Sequence, residues 1–253
     1  MHFTDIHTHI LPGIDDGAKN LDQSLDLLGM LECQNVSTVV LTPHYYGRNK
    51  GTDKFLESRE GAFKKLAAAY GGKIKLVRGC ECNISTCANS DFSELRPLAI
   101  ESTRYILTEM SFEHQWTEHM WGRLERLLDT GLIPIIAHVE KYPAIIKKPQ
   151  LVHRLVEEGC LIQINCHSVL DEERCALIKA LIDHGQVHCL GSDTHNKEKR
   201  PPRYMEAVEK LSALFGQDLV YALQANMQNI LADNCIEPLA GTPVTRTLLG
   251  KYK

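Results

Sequence analysis

An α/β barrel is the fold class that the sequence predicts for this 253-residue chain, and three observations lead to it. Apolar, β-branched runs alternate with helix-forming stretches in about seven strand-helix units, as a parallel sheet requires, because each crossover between parallel strands takes a helix. Histidines and carboxylates recur where those apolar runs end; barrel enzymes assemble their sites there, whereas an open sheet would scatter several of them away from one crevice. A chain of this length can bury a full core, and no internal repeat, low-complexity tract or linker divides it, so residues 1–253 are expected to form one domain.

Composition excludes several function classes. The formal charge of -4 argues against bulk nucleic-acid binding, which needs a basic face. No apolar run is long enough to cross a bilayer, and the charged, histidine-containing start does not resemble a signal peptide, so a soluble cytoplasmic protein without membrane insertion is expected. The nine cysteines are odd in number and mostly embedded in apolar segments, which fits small core residues in a reducing compartment.

The elements follow in order. Residues 1–6 read as a short strand, and His7 and His9 project together from its end because alternate strand residues share a side. Pro12-Gly13 turns the chain, and Asp15-Asp16-Gly17 offers a hard oxygen ligand on a tight loop. Asn20 caps a helix in which Leu21, Leu25 and Leu28 recur at helical spacing up to Cys33. The β-branched run 36–42 closes on Pro43-His44. Residues 45–53 read as a polar loop carrying Arg48 and Lys50, followed by a helix over 54–70. Residues 73–81 read as a strand closing on Glu81, with Cys80 and Cys82 pointing to the opposite side.

The strand 105–109 closes on Glu109, and after a helix near 118–128 the strand 133–138 closes on His138. A helix from about 149, a strand over 160–165 and a helix over 172–184 lead to the strand 187–191, which delivers Asp193 and His195 on a shared side. Helices over 202–215 and 219–231 precede a turn-rich tail, expected to be loosely held from about 234.

Five histidines (His7, His9, His44, His138, His195) and four carboxylates (Asp16, Glu81, Glu109, Asp193) are too many for one zinc and suit two or three cations bridged by carboxylate. Imidazole mixed with carboxylate suits manganese, iron or zinc better than calcium. The remaining histidines, His167 and His188 among them, read as ordinary surface or core residues.

These motifs, His7-Thr-His9, Pro12-Gly-Ile-Asp-Asp16-Gly17, Thr42-Pro-His44, Gly79-Cys-Glu81, Glu109, Ile136-Ala-His138-Val-Glu140-Lys-Tyr142 and Gly191-Ser-Asp193-Thr-His195-Asn196, resemble the polymerase and histidinol phosphatase (PHP) superfamily. More closely they resemble its bacterial tyrosine-protein phosphatases, typically manganese-dependent and encoded with capsule or exopolysaccharide genes. The resemblance runs from residue 1 to about residue 233 and implies a distorted seven-stranded, TIM-like (β/α)7 barrel. It implies a first metal on His7, His9, Glu81 and Asp193, a second on bridging Glu81, Glu109 and His138, and a third on Asp16, His44 and His195. The substrate it implies is phosphotyrosine on a protein, the tyrosine-rich tail of a bacterial tyrosine kinase that controls polysaccharide export.

Such an ester hydrolyses slowly because its negative oxygens repel an attacking anion. Cations must neutralise it and lower the pKa of a bound water that attacks phosphorus. Cationic side chains on the equatorial oxygens complete the site. The resemblance assigns that catalytic and substrate-binding part to Lys141 and to Arg200 of Arg200-Pro-Pro202. Lys141 departs from the arginine common in close relatives and lacks its bidentate fork. Tyr45 and Tyr46 replace residues that are basic in some relatives, and read either as lining the entrance for an aromatic substrate or as packing. Glu140 reads either as a support for a ligand or as a loop carboxylate.

Rival readings fit less well. A cysteine-dependent tyrosine phosphatase needs an arginine six positions after its thiol, and none of the nine cysteines has one. An amidohydrolase shares the first His-x-His and a late aspartate, but not the two glutamate strand ends. A noncatalytic scaffold of the same superfamily would be expected to lose ligands. The runner-up is a phosphatase of a small phosphomonoester such as histidinol phosphate, which would use nearly the same metal ligands.

Overall fold

The computed structural model describes residues 1–48, 51–87, 92–236, 241–247 and 249–253. Its strands pair in parallel throughout. β1 (Phe3–Thr8) pairs with β2 (Val36–Leu41), which pairs with β4 (Lys75–Arg78). A second run joins β3 (His44–Tyr46), β5 (Glu81–Asn83), β6 (Tyr105–Glu109), β7 (Ile133–Ile136), β8 (Leu161–Asn165) and β9 (Cys189–Gly191) in that order. Every residue of β1, β6 and β8 is buried, as strands covered on both faces must be, and the polar residues they carry, Asp5, His7, Glu109, Gln163 and Asn165 among them, are buried with the apolar ones.

The expected strand 73–81 is two short strands, and the expected 45–53 loop begins as β3. The interruptions fall at Thr42-Pro43 and Gly79-Cys80. A β-carbon on Gly79 would lie 2.9 Å from Val40 Cγ1, so only glycine lets the neighbouring strand approach this closely. Backbone bonds carry the ladder across both interruptions, from Gly79 N–H to Leu41 O at 3.0 Å and from Glu81 N–H to Pro43 O at 3.1 Å. At the far end, Asp193 N–H donates to His7 O at 2.8 Å and His9 N–H to Thr194 O at 2.9 Å, tying the chain beyond β9 to β1.

The helices lie in the expected order. α1 (Leu21–Cys33) is capped by the Asn20 side chain, which accepts from Gln23 N–H at 3.0 Å, and it buries Leu27, Leu28 and Leu31. α2 (Thr52–Ala69) and α3 (Glu118–Leu128) follow. The helix expected from about 149 is α5 (Gln150–Glu157), and a short helix that the sequence reading did not anticipate, α4 (Pro143–Lys147), precedes it and ends before Pro149, which restricts the residue before it. α6 (Cys166–Leu170), α7 (Glu172–Asp183), α8 (Tyr204–Phe215) and α9 (Gln217–Leu231) complete the set. One contiguous apolar cluster runs from Phe3 to Val244. The tail, read from the sequence as loosely held, has specific anchors: Val244 is fully buried, Gln186 Nε2 donates to Thr242 O, and the Tyr252 hydroxyl donates to Ile146 O. Among the described residues no helix is long and apolar enough to cross a membrane.

His188, one residue before β9, is a core histidine. Its Nδ1 accepts from Ile162 N–H at 3.1 Å, its buried Nε2 has no partner, and burial pushes the imidazole down to about 4. Held below its unfolded value of 6.5, it binds fewer protons folded than unfolded, so its stability contribution is whole above that value and is lost as pH falls toward 4. The loss amounts to about 3 kcal/mol over this window. His188→Gln keeps an acceptor for Ile162 and is expected to remove that part of the acid sensitivity. Urea unfolding of parent and variant at neutral and acidic pH measures it, and equal slopes would contradict the assignment.

Candidate metal centre

The residues singled out at the strand ends meet in one cluster, with Glu81 at its middle. Glu81 Oε2 lies 3.2 Å from both His7 Nε2 and His9 Nε2 and 3.1 Å from His44 Nδ1. Its Oε1 is 2.8 Å from His138 Nε2. Asp193 Oδ1 stands 3.5 Å from both His7 and His9. Asp16 Oδ1 is 3.5 Å from His44 Nε2 and 3.3 Å from His195 Nε2, and Glu109 Oε1 is 3.8 Å from His138. Among the described residues, three sets of donor atoms lie mutually within 4.8 Å: His9, Asp16, His44 and His195; His7, His9 and Glu81; and His44, Glu81 and Glu109. His9 and His44 each belong to two sets, so the donor groups overlap more than the division implied by the resemblance.

Local structure explains the convergence. Parity on β1 sends His7 and His9 to one side, with Nε2 atoms 3.1 Å apart. The Asp15-Asp16-Gly17 turn then folds back over His9 so closely that a β-carbon on Gly17 would lie 2.0 Å from His9 O. His138 (φ 36°) and Asp193 (φ 53°) hold left-handed backbone, a strained conformation that non-glycine residues adopt mainly where the surroundings force it. Glu81 and its imidazole neighbours His7 and His9 are fully buried.

The charges are balanced by proximity. Burial by itself would raise the Glu81 pKa, but His7, His44 and His138 hold it well below the usual carboxylate range. Burial likewise opposes ionisation of Asp193, and Lys141, His7 and Arg200 outweigh it. Glu109 goes the other way: burial, with the Glu81 charge beside it, pushes it up to about 7. Burial works against a charged His9, yet hydrogen bonds to Asp15 and Glu81 raise it to about 10. His44 is pushed down to about 4 by burial and His195 is lowered by the same cause, which leaves both neutral, as a metal ligand must be. Buried His44 Nδ1 and His195 Nε2 approach carboxylate oxygens yet make no hydrogen bond. Unpaired imidazole nitrogens aimed among carboxylates fit divalent cations.

Both expected phosphate-binding cations reach the cluster. Lys141 Nζ donates to Asp193 Oδ2 at 2.6 Å and Arg200 Nη2 to Asp193 Oδ1 at 2.6 Å. The two tyrosines divide. Tyr46 stacks on His44 with ring centres 5.3 Å apart, whereas Tyr45 is buried, packs edge-on against Phe55 and bonds Thr52 through its hydroxyl. Both help line a cavity of about 320 Å³ with Asp16, His44 and Ile14. Glu140 is fully buried and accepts from Asn165 N–H at 3.3 Å. Arg48 is exposed, and Lys50 lies outside the described residues. Cys80 and Cys82 are buried free thiols, and among the described residues no candidate metal group includes a cysteine.

Sequence reasoning missed the residues that hold the donors. Asp15 accepts from His9 Nδ1 at 2.7 Å and from His44 N–H at 3.0 Å. Gln163 Oε1 lies 3.1 Å from His7 Nδ1 and accepts from His138 N–H at 2.9 Å. Asn165 donates to Asp193 Oδ2 at 2.6 Å, and Asn83 to Glu109 Oε2 at 2.6 Å. A signal was available for two of them, because Gln163 and Asn165 are alternate polar residues in an otherwise apolar, fully buried strand.

The family described as capsular polysaccharide synthesis, CpsB/CapC, matches residues 3–232. The tyrosine-protein phosphatase YwqE of Bacillus subtilis is 30% identical over 251 residues, covering 97% of this chain and 98% of that protein. The crystal structures of YwqE from Bacillus subtilis and CpsB from Streptococcus pneumoniae, metal-dependent tyrosine phosphatases, include a chain that superposes with a TM-score of 0.84 at 29% identity, covering 96% of this chain and all of that one. A phosphotriesterase homology protein from Escherichia coli, at 13% identity and a TM-score of 0.56 over 91% of this chain and 98% of its own, shares the fold.

The Asp15 contact yields a direct test. Asp15→Asn removes the carboxylate that holds the proton on His9, so in the metal-free protein the His9 imidazole should titrate lower by about one pH unit or more. Histidine ring resonances followed by NMR measure this, and an unmoved His9 would show that Asp15 does not set its charge.

Proposed function

The chain belongs to the CpsB/CapC family of capsular polysaccharide synthesis proteins, and from that premise we propose that it is a metal-dependent phosphatase of protein phosphotyrosine. The observation that carries this reading is the convergence of eight imidazole and carboxylate side chains around Glu81, with two cationic side chains at its edge. His7, His9, Glu81 and Asp193 would hold one cation, Glu81, Glu109 and His138 a second, and Asp16, His44 and His195 a third. Two or three manganese ions are the preferred content, with iron or zinc as the alternatives this donor set accepts.

The strand interruptions support reading β2 with β3, and β4 with β5, as two bent strands, which makes the fold a distorted seven-stranded barrel with the site at its C-terminal mouth. The proposed substrate is the tyrosine-rich tail of a bacterial tyrosine kinase that controls capsule or exopolysaccharide export, dephosphorylated in the cytoplasm.

When bound, the cations supply Lewis acidity toward the phosphate and toward water. The chain's own residues bind and orient. Lys141 and Arg200 both bond Asp193 in this structure. Neutralising Asp193 would weaken that hold and free both cations for the equatorial phosphate oxygens, where charge develops during transfer. Asp15, Gln163 and Asn165 fix the donor rings and carboxylate so that little reorganisation is needed. Tyr46 offers an aromatic face beside His44 to the leaving tyrosyl ring.

Phosphate release from a phosphotyrosine peptide and from histidinol phosphate, in chelator and then with manganese restored, tests the reading. Turnover of the peptide alone, lost in chelator and regained with manganese, is expected; turnover of only histidinol phosphate would overturn the substrate. His44→Ala and His138→Ala should each abolish peptide turnover in a folded protein, and retained activity in either would count against the site. Arg200→Ala should lower kcat by about 10- to 100-fold if the guanidinium stabilises the transition state, and raise KM alone if it only binds phosphate. Kinetics with neither change would retire its role.

A further inference from the structure

Phe112 lies three residues beyond Glu109 and leaves 48% of its surface exposed. Among the described large apolar residues that are exposed, it is the one with a ring contact to the cluster: its ring centre is 5.7 Å from that of His138, tilted by 34°. Its other neighbour is Tyr142, 4.9 Å away and fully buried. That support is rigid. The Tyr142 hydroxyl accepts from Met110 N–H at 2.9 Å, Trp116 packs edge-on against Tyr142 at 5.4 Å, and Trp116 Nε1 donates to Ser111 O at 2.8 Å. Packing against His138 and Tyr142 leaves about half of the Phe112 side chain to solvent, where apolar surface gains nothing.

The cluster gives that surface a use. His138 Nε2 lies 2.8 Å from Glu81 Oε1 and His44 Nδ1 lies 3.1 Å from Oε2, and each ring has an aromatic neighbour that is not itself a donor, Phe112 and Tyr46 respectively. A phosphate drawn to these donors must project its leaving group outward past their rim. We propose that Phe112 is a specificity-determining residue: its braced, half-exposed ring packs against the tyrosyl ring of the substrate and selects aryl over alkyl phosphate esters. The proposal rests on the phosphotyrosine reading and adds a residue that touches only the leaving group. Aromatic pairs prefer tilted or offset contacts of the kind Phe112 already makes with His138 and Tyr142.

The test compares parent, Phe112→Ala, Phe112→Leu and Phe112→Trp in the manganese-loaded enzyme. Phe112→Ala should raise KM for a phosphotyrosine peptide roughly tenfold, the size of effect expected from one aromatic contact with its buried area. Inhibition by inorganic phosphate, which has no ring, should stay unchanged, as should manganese content. Phe112→Trp should restore KM, and Phe112→Leu should fall between. An unchanged KM in the alanine and leucine variants would overturn the proposal. So would a parallel loss of phosphate inhibition, because the side chain would then be acting through His138. Should the alanine variant fail to fold, the leucine and tryptophan variants decide by the same readouts. A parent enzyme that does not turn over the peptide at all would overturn the function and this inference together, whereas peptide turnover indifferent to residue 112 would overturn the inference alone.

Discussion

The Glu81 carboxylate is fully buried and lies within 3.2 Å of four imidazoles, those of His7, His9, His44 and His138. A lone carboxylate taken this far from water would be protonated, because desolvation penalises the charged form by several kcal/mol. Its ionisation therefore depends on the histidines, and the histidines depend on strands that end at one depth. β1 brings two of them, the His44 and His138 segments one each, and the short β5 starts on Glu81 itself, where the interruption at Gly79-Cys80 resets the chain.

Around this centre the structure invests in positioning. Asp15 holds His9 and the His44 backbone, Gln163 links His7 to the His138 backbone, and Asn165 and Asn83 fix Asp193 and Glu109. Left-handed backbone at His138 and Asp193 is tolerated because the same contacts over-determine both residues. Such strain and the partly neutralised like charges oppose folding, and the contiguous core beneath the site offsets them. The arrangement suits a site that binds cations into preset donors and then has Lys141 and Arg200 at hand for an anionic substrate.

The same geometry links family to chemistry. Similarity to metal-dependent tyrosine phosphatases extends over nearly the whole chain. The features that would make an aryl phosphate the preferred ester are local: Tyr46 against His44 and Phe112 against His138. Tyr45, its neighbour in sequence, turns inward to Phe55, since adjacent strand residues point to opposite sides.

Much of this was legible beforehand, because strand periodicity and strand-end chemistry are local properties. Parity alone pairs His7 with His9 and separates Cys80 and Cys82 from Glu81. The alternation of strands and helices predicts parallel pairing, and the motifs name the cluster residues. What the sequence could not decide depends on distances between segments far apart in the chain. Gln163 reaches His7 and Asn165 reaches Asp193 only through the packing of parallel strands, and nothing within β8 specifies those partners. The split of the expected 73–81 strand falls at Gly79, where Val40 of the neighbouring strand comes close. The exposed ring of Phe112 gains meaning only beside His138, on a different strand end. Local sequence determines what each residue can offer; the tertiary structure decides which offers meet, because burial and contact are set by segments the local chain does not contain.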